Sequence, residues 1–203
     1  MKRIISILPI IAVFYLNSGF TTISEWDTKS QTEKIKLQYR WVKTSDNREM
    51  REFRAVLKVT SDVSSIIRNI NEEDRLLQWT AKSKQCKIYG KTEKKWITYT
   101  LFDIPKPFSQ RDLVLKHTLS NENGKLIIKL EPLPDYLPKQ DNVTRMDEYL
   151  GYWIITPESD HAFRVEFYYT STKKPIIPRF IMDPILQKML MESFSKLIKL
   201  SET

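Results

Sequence analysis

The sequence predicts an α+β protein in which one curved antiparallel sheet of about eight strands, interrupted by two short helices, is closed by a long C-terminal helix. Three patterns carry that prediction. Apolar and polar residues alternate with period two through most of the chain, as strands with one dry and one wet face require. Helical spacing appears briefly between residues 62 and 79. At the C-terminal end Met182, Ile185, Leu186, Met189, Leu190, Phe194, Leu197 and Ile198 recur at helical spacing and define one face, with Lys188, Glu192, Lys196 and Lys199 away from it.

The elements follow in order. A polar linker at residues 25–31 leads to Leu37, Tyr39 and Trp41, which alternate with Gln38, Arg40 and Val42. After the Ser45-Asp46-Asn47 turn, Phe53, Ala55, Leu57 and Val59 alternate with Arg54, Val56 and Lys58, so the two runs pair as a hairpin. Asp62 serves as N-cap of a short helix through Ile66, Ile67 and Ile70. Asn71 caps a second, whose Glu72, Glu73 and Asp74 favour the positive end of its dipole. Strands return at residues 84–90, 94–102, 112–119, 125–130, 145–155 and 163–170, with Asn123-Gly124 as a hairpin turn. In the last of them Phe163, Val165, Phe167 and Tyr169 face one way and Arg164, Glu166 and Tyr168 the other. The closing helix begins either at Asp183-Pro184, as N-cap and first helical residue, or at Pro178, with Pro184 then marking a bend.

Composition narrows the function. A chain of 203 residues, 41% hydrophobic, buries one sizeable core, and its length suits one domain. Four glycines against ten prolines argue against a glycine-rich phosphate cradle. The net charge of +8 favours anionic surfaces, but the basic residues are interspersed and form no clustered docking motif, so nucleic-acid binding is not expected and contact with an anionic membrane surface stays open. Cys86 is alone, and His117 and His161 are far apart without a second ligand at metal spacing. No metal and no cofactor are expected.

Met1-Lys2-Arg3 followed by an apolar run at residues 4–16 and by Asn17, Ser18 and Gly19 reads as a signal peptide over residues 1–23, cut between Ser18 and Ser24. The run is short for a span, which takes about 20 residues, so an N-terminal membrane anchor is the second choice. Residues 24–34 are then a linker or short N-terminal segment, and residues 35–203 the folded domain. Export without disulfides fits a periplasmic protein of the bacterial envelope.

Several features occur in one order: Trp79 ending the second short helix, Tyr99, Pro105-x-Pro107, Ser109-x-Arg111-Asp112 leading a strand, Gly151-x-Trp153 before Pro157, Tyr168-Tyr169, and Ile177-Pro178-x-Phe180 opening the last helix. In that order and spacing, from residue 35 to residue 200, the chain resembles the START (StAR-related lipid transfer) domains of the helix-grip, Bet v 1-like superfamily, as a bacterial exported member. The resemblance implies the helix-grip fold, a buried tunnel for one lipid or other hydrophobic molecule, and entry gated by loops and the C-terminal helix. It does not imply catalysis. Leu76 and Thr80 stand where phospholipid-carrying members place charged residues around the tryptophan, so a phosphocholine site is not implied unless a rotated helix lets Arg75 substitute.

The expected ligand-binding residues are Trp96, Arg111, Leu113, His117, Trp153, Met182, Leu186 and Met189. An apolar tunnel tolerates a charge only when paired. Arg111 therefore either pairs with a carboxylate from the strand around Arg145–Glu148, or joins Asp112 in tying the proline loop to its neighbour strand. Trp96 and Trp153 either line the tunnel or fill it, and the methionines are either core or adaptable lining. The function expected is non-catalytic binding, and transfer, of a hydrophobic molecule. The alternatives are a cyclase- or hydrolase-like helix-grip enzyme using His117 with Asp112 or Glu148, and a membrane-surface interaction module.

Overall fold

A computed structural model describes residues 20–104, 109–147, 149–171 and 178–203. The chain runs β1 (Phe20–Thr22), β2 (Asp27–Gln31), β3 (Ile35–Thr44), β4 (Glu49–Thr60), α1 (Val63–Asn71), α2 (Glu73–Trp79), β5 (Ser83–Tyr89), β6 (Lys95–Phe102), β7 (Gln110–Glu122), β8 (Lys125–Pro132), β9 (Val143–Met146), β10 (Tyr149–Pro157), β11 (Ala162–Ser171) and α3 (Arg179–Ser201). The strands form one sheet in the order β1-β3-β4-β11-β10-β8-β7-β6-β5, with β2 also on β3 and β9 also on β7. The expected architecture is present: an open, mainly antiparallel sheet, two short helices after the first hairpin and one long closing helix.

Three local expectations are corrected. The stretch read as a polar linker contains β2, which joins the free edge of β3 with Asp27 opposite Tyr39 and Gln31 opposite Lys36. A polar strand is stable there because it is an edge strand whose one-sided pairing needs no apolar face, and Gln38 Nε2 donates to Thr28 Oγ1 at 3.2 Å. The run at residues 145–155 is two strands, not one. β8 leaves the edge of β7 at Pro132, opposite Leu115, and β9 takes the vacated edge in parallel, with Gln110 opposite Val143 and Asp112 opposite Arg145, before β10 turns back between β8 and β11. Finally, α1 runs through Asn71 and α2 is preceded by Glu72, so Asn71 ends the first helix rather than capping the second. The leader expected at residues 1–23 lies outside the described residues up to residue 19, and Phe20–Thr22 pair with β3 as β1. Pro105, Pro107, Glu148 and Ile177 also lie outside the described residues.

The core sits between the concave sheet face and the helices. Leu37, Ala55, Leu57, Val165, Ile128 and Ile155 supply the sheet side, Ile66 and Ile70 come from α1, and Phe194, Leu197 and Ile198 from α3. The end of the sheet near α1 and α2 is closed by a continuous hydrogen-bonded stitch. Trp79 Nε1 donates to Asn69 O at 2.8 Å, Asn69 Nδ2 donates to Ser201 Oγ at 2.7 Å, and Ser201 Oγ donates to Leu197 O at 2.8 Å. Ser193 Oγ donates to Trp79 O and accepts from Ala81 N at 3.1 Å. Satisfying these groups inside the protein is what allows the helix end to be buried.

Candidate functional site

Strand register arranges the concave face in rows. One row crosses seven strands: Tyr39, Phe53, Tyr169, Gly151, Leu130, His117 and Trp96, each opposite the next. Glycine is required in the middle of it, since a Cβ on Gly151 would stand 2.7 Å from Tyr168 O and 3.1 Å from the ring of Tyr149. Phe53, Leu130, His117 and Trp96 are buried. The row carries no carboxylate, ammonium or guanidinium.

At its β6–β7 end the Trp96 and His117 rings stack with centroids 4.9 Å apart and planes 14° apart. Thr98 Oγ1 and His117 Nε2 are hydrogen-bonded at 2.9 Å. Trp96 Nε1 and His117 Nδ1 are both buried without a protein partner. Burial drives the His117 pKa down to about 3, because the protonated ring would lose its hydration with no carboxylate to replace it, so the imidazole is neutral.

At the β3–β4 end the row meets the first half of α3. Arg51 holds Asp183 through two hydrogen bonds, 2.7 and 2.9 Å, and its guanidinium lies 4.1 Å from the Tyr39 ring centre. Arg179 sits 5.2 Å from the ring centre of Trp41. Burial raises the Tyr39 phenol, with Arg51 opposing and Asp183 reinforcing the shift, and burial followed by the nearby Arg51 lowers Arg179. Around this clasp the start of α3 presents apolar side chains to solvent: Phe180 is 80% exposed and Ile181 and Ile185 about half, and Trp41 on β3 is 40% exposed.

The expected ligand-binding residues separate into groups. Trp96, Leu113 and His117 are buried and share the concave face. Met182, Leu186 and Met189 are half-buried on the first half of α3. Trp153 is a packing residue at the closed end, 4.5 Å from Phe167, 6.0 Å from Trp79 and 6.4 Å from Phe194, centroid to centroid. Arg111 is exposed, so the buried arginine–carboxylate pair of this region does not use it. The roles are reversed: Asp112 accepts from Arg145 Nε at 2.8 Å and Nη2 at 2.9 Å, both side chains being buried. Alternation puts Asp112 on the convex face, where the Arg145 guanidinium also reaches the carbonyls of Pro134, Leu137 and Pro138. The pair ties a loop to the sheet, and its hydrogen bonds to Asp112 hold the Arg145 pKa above the usual range.

That same alternation puts Asp112 and His117 on opposite faces of β7, so the sequence-proposed acid-base couple does not assemble; its other candidate, Glu148, is outside the described residues. Arg75 pairs with Glu72 and donates to Asn69 Oδ1, which leaves it on the outside of α2 and α3 rather than turned inward. A cleft of about 300 Å³ between Tyr89, Tyr99, Leu137 and Gln140 opens on the convex face, away from the Trp96–His117 row. Among the described residues no cluster of acidic, histidine or cysteine side chains could hold a metal ion. Sequence reasoning missed the Arg51–Asp183 clasp, whose partners lie 132 positions apart. It also missed Tyr39 and Gly151 as members of one row, although the period-two pattern had already put Tyr39 and Tyr169 on the inner face.

Comparison with known proteins puts this geometry in context. An uncharacterized protein of Pseudomonas aeruginosa is 20% identical over 182 residues, 89% of each chain, and no family model matches. The crystal structure of a STAR-related lipid transfer protein from Xanthomonas axonopodis superposes with a TM-score of 0.75 at 20% identity, covering 88% of this chain and 99% of that one. The fold is that of the START domains. Human StAR-related lipid transfer protein 5 superposes with a TM-score of 0.67 at 12% identity, over 91% of this chain and 87% of that one. Among the described residues of this START fold the first elements are β1 and β2, both laid along β3. Trp26, just before β2, lies against the guanidinium groups of Arg40 and Arg54, 4.4 and 4.3 Å from its ring.

Proposed function

We propose that the protein is a non-catalytic carrier that binds one lipid or other hydrophobic molecule between the concave sheet face and α3, and exchanges it at an anionic membrane surface. The observation that carries this reading is the asymmetry of α3. Its second half is sealed into the core, while its first half leaves Phe180, Ile181 and Ile185 exposed and is held near the sheet by the Arg51–Asp183 clasp. A clasp of that kind can open without unfolding the core, and it borders the inner row. Each methylene moved from water to a dry interior contributes about 0.8 kcal/mol, enough to hold an alkyl chain without any covalent step. The lipid-transfer names of the two structural neighbours support the same reading.

The net charge of +8 supports approach to anionic headgroups, and the exposed apolar side chains at the start of α3 supply the contact. Export to the bacterial periplasm is part of the proposal. Within the expected cleavage window between Ser18 and Ser24, a cut ahead of Phe20 would keep β1 on the sheet. No chemistry is assigned: His117 is neutral, and Asp112 is committed to Arg145 on the other face.

The test is extraction of the purified protein with organic solvent and mass spectrometry of the extract, together with transfer of a fluorescent lipid between donor and acceptor vesicles. A stoichiometric hydrophobic molecule, and transfer that speeds up with the anionic lipid content of the acceptor, are expected. An empty extract with no transfer at any vesicle composition overturns the proposal.

A further inference from the structure

Among the described residues five buried side-chain nitrogen or oxygen atoms lack a hydrogen-bond partner, and two of them, Trp96 Nε1 and His117 Nδ1, belong to rings that stack on each other on the concave face. The Arg51 Nε differs from these, because its terminal nitrogens already bind Asp183. Burying an unsatisfied polar group is unfavourable, so two of them on rings that stack on each other mark a place where a partner belongs. Resting on the carrier reading above, we infer that the bound molecule carries one uncharged oxygen function, a hydroxyl or a carbonyl, that hydrogen-bonds to Trp96 Nε1 and His117 Nδ1.

Donor and acceptor chemistry selects that class. An indole nitrogen only donates, so the partner must offer a lone pair, which excludes an ammonium group. A carboxylate or phosphate would satisfy the indole but would bring a buried charge to a row without a counter-charge. His117 is neutral, and Arg51, four strands away in the sheet from β7, is bound to Asp183. Thr98 fixes the imidazole by holding Nε2 at 2.9 Å and leaves Nδ1 as the free edge. A hydroxyl suits either tautomer, accepting from Trp96 while donating to or accepting from Nδ1. A carbonyl suits the tautomer protonated at Nδ1. Leu130 and Ile128, next along the same face, are the apolar surface for the rest of the molecule.

The experiment compares three probes with one tail, hexadecanol, hexadecanoate and hexadecylammonium, by displacement of Nile red from the full chain. The indole N–H resonance of Trp96 is followed by nitrogen-15 NMR in the same titrations. Expected are binding of hexadecanol about ten-fold tighter than either charged probe, a shift of the Trp96 indole resonance, and loss of the preference in Trp96→Phe, which keeps a ring and removes the donor. Should that variant misfold, the indole shift in the unaltered protein still decides. Equal affinity for the three probes, tightest binding of a charged one, or an unmoved Trp96 resonance on hexadecanol binding overturns this inference and leaves the carrier reading intact. If no probe binds, the molecule extracted from the purified protein decides: a neutral oxygen head supports the inference and a charged head overturns it. No probe bound and no molecule extracted overturns the carrier reading and this inference with it.

Discussion

The two halves of α3 have opposite fates. In the second half Phe194, Leu197 and Ile198 are buried against Phe53, Trp153, Phe167 and the α1 isoleucines, and Ser193 and Ser201 are hydrogen-bonded into the stitch around Asn69 and Trp79. In the first half Met182, Leu186 and Met189 are half-buried, and Ile185, turned well away from the line of Leu190 and Leu197, is exposed. The difference lies in what the rest of the fold supplies opposite each half. One end has α1 and α2 to complete the core; among the described residues the other meets the strand ends around Trp41 and Arg51. The helix starts after Pro178 and runs through Pro184, the bend the sequence allowed, so the proline that interrupts its backbone ladder falls in the half that is less buried.

Substitutions along the helix test that contrast. Phe194→Ala is expected to destabilise by about 3–5 kcal/mol in urea unfolding, because it empties a site packed on four sides by aromatic and aliphatic groups. A loss below about 1 kcal/mol would mean that the sealed end is not the anchor. Arg51→Ala leaves Asp183 without its partner and is expected to cost about 1–3 kcal/mol. Its sharper signature is faster amide exchange in the first half of α3 with no change at Ser193–Ser201. Equal acceleration along the whole helix would erase the distinction between the halves.

The inner row offers a pH test. Burial holds the folded His117 near a pKa of 3, while the ordinary value is 6.5, so between those pH values the unfolded chain binds one proton more than the folded one. This group's contribution therefore makes stability fall by about 1.4 kcal/mol for each pH unit of acidification through that window, and leaves it flat above it. His117→Gln should remove that part of the slope in a stability titration. An unchanged slope would place His117 in contact with solvent. The smallest effect on stability is expected for Phe180→Ser, within about 0.5 kcal/mol, since Phe180 is already exposed. Its consequence should appear instead as slower transfer to anionic vesicles; an unchanged rate would remove the start of α3 from the membrane contact.

Much of the fold was legible in the sequence because burial on one face imposes a period of two on strands and of three to four on helices. Leu37, Phe53, Phe163 and Phe194 announced their orientation this way. Elements whose register is set by neighbours far away in sequence were not legible. β2 is polar and stands only because β3 has a free edge; β9 separates from β10 because β8 ends at Pro132 and leaves an edge of β7 open. The site divided along the same line. The inward placement of Trp96 and His117 follows from alternation, whereas the exchange of Arg111 for Arg145 as the buried arginine depended on which loop reached the convex face.

By itself the sequence determined which side of each strand is dry, that one helix closes the sheet, and that a lone cysteine and two distant histidines leave little chemistry to build on. Only the tertiary structure decided which half of that helix is sealed, that Arg51 clasps Asp183, and that two stacked rings on the inner face each leave a nitrogen unpartnered. The physical reason is one of range. Dry and wet faces are written in the side chains of each element, while clasps and unpaired groups arise from distances between elements that no local pattern encodes.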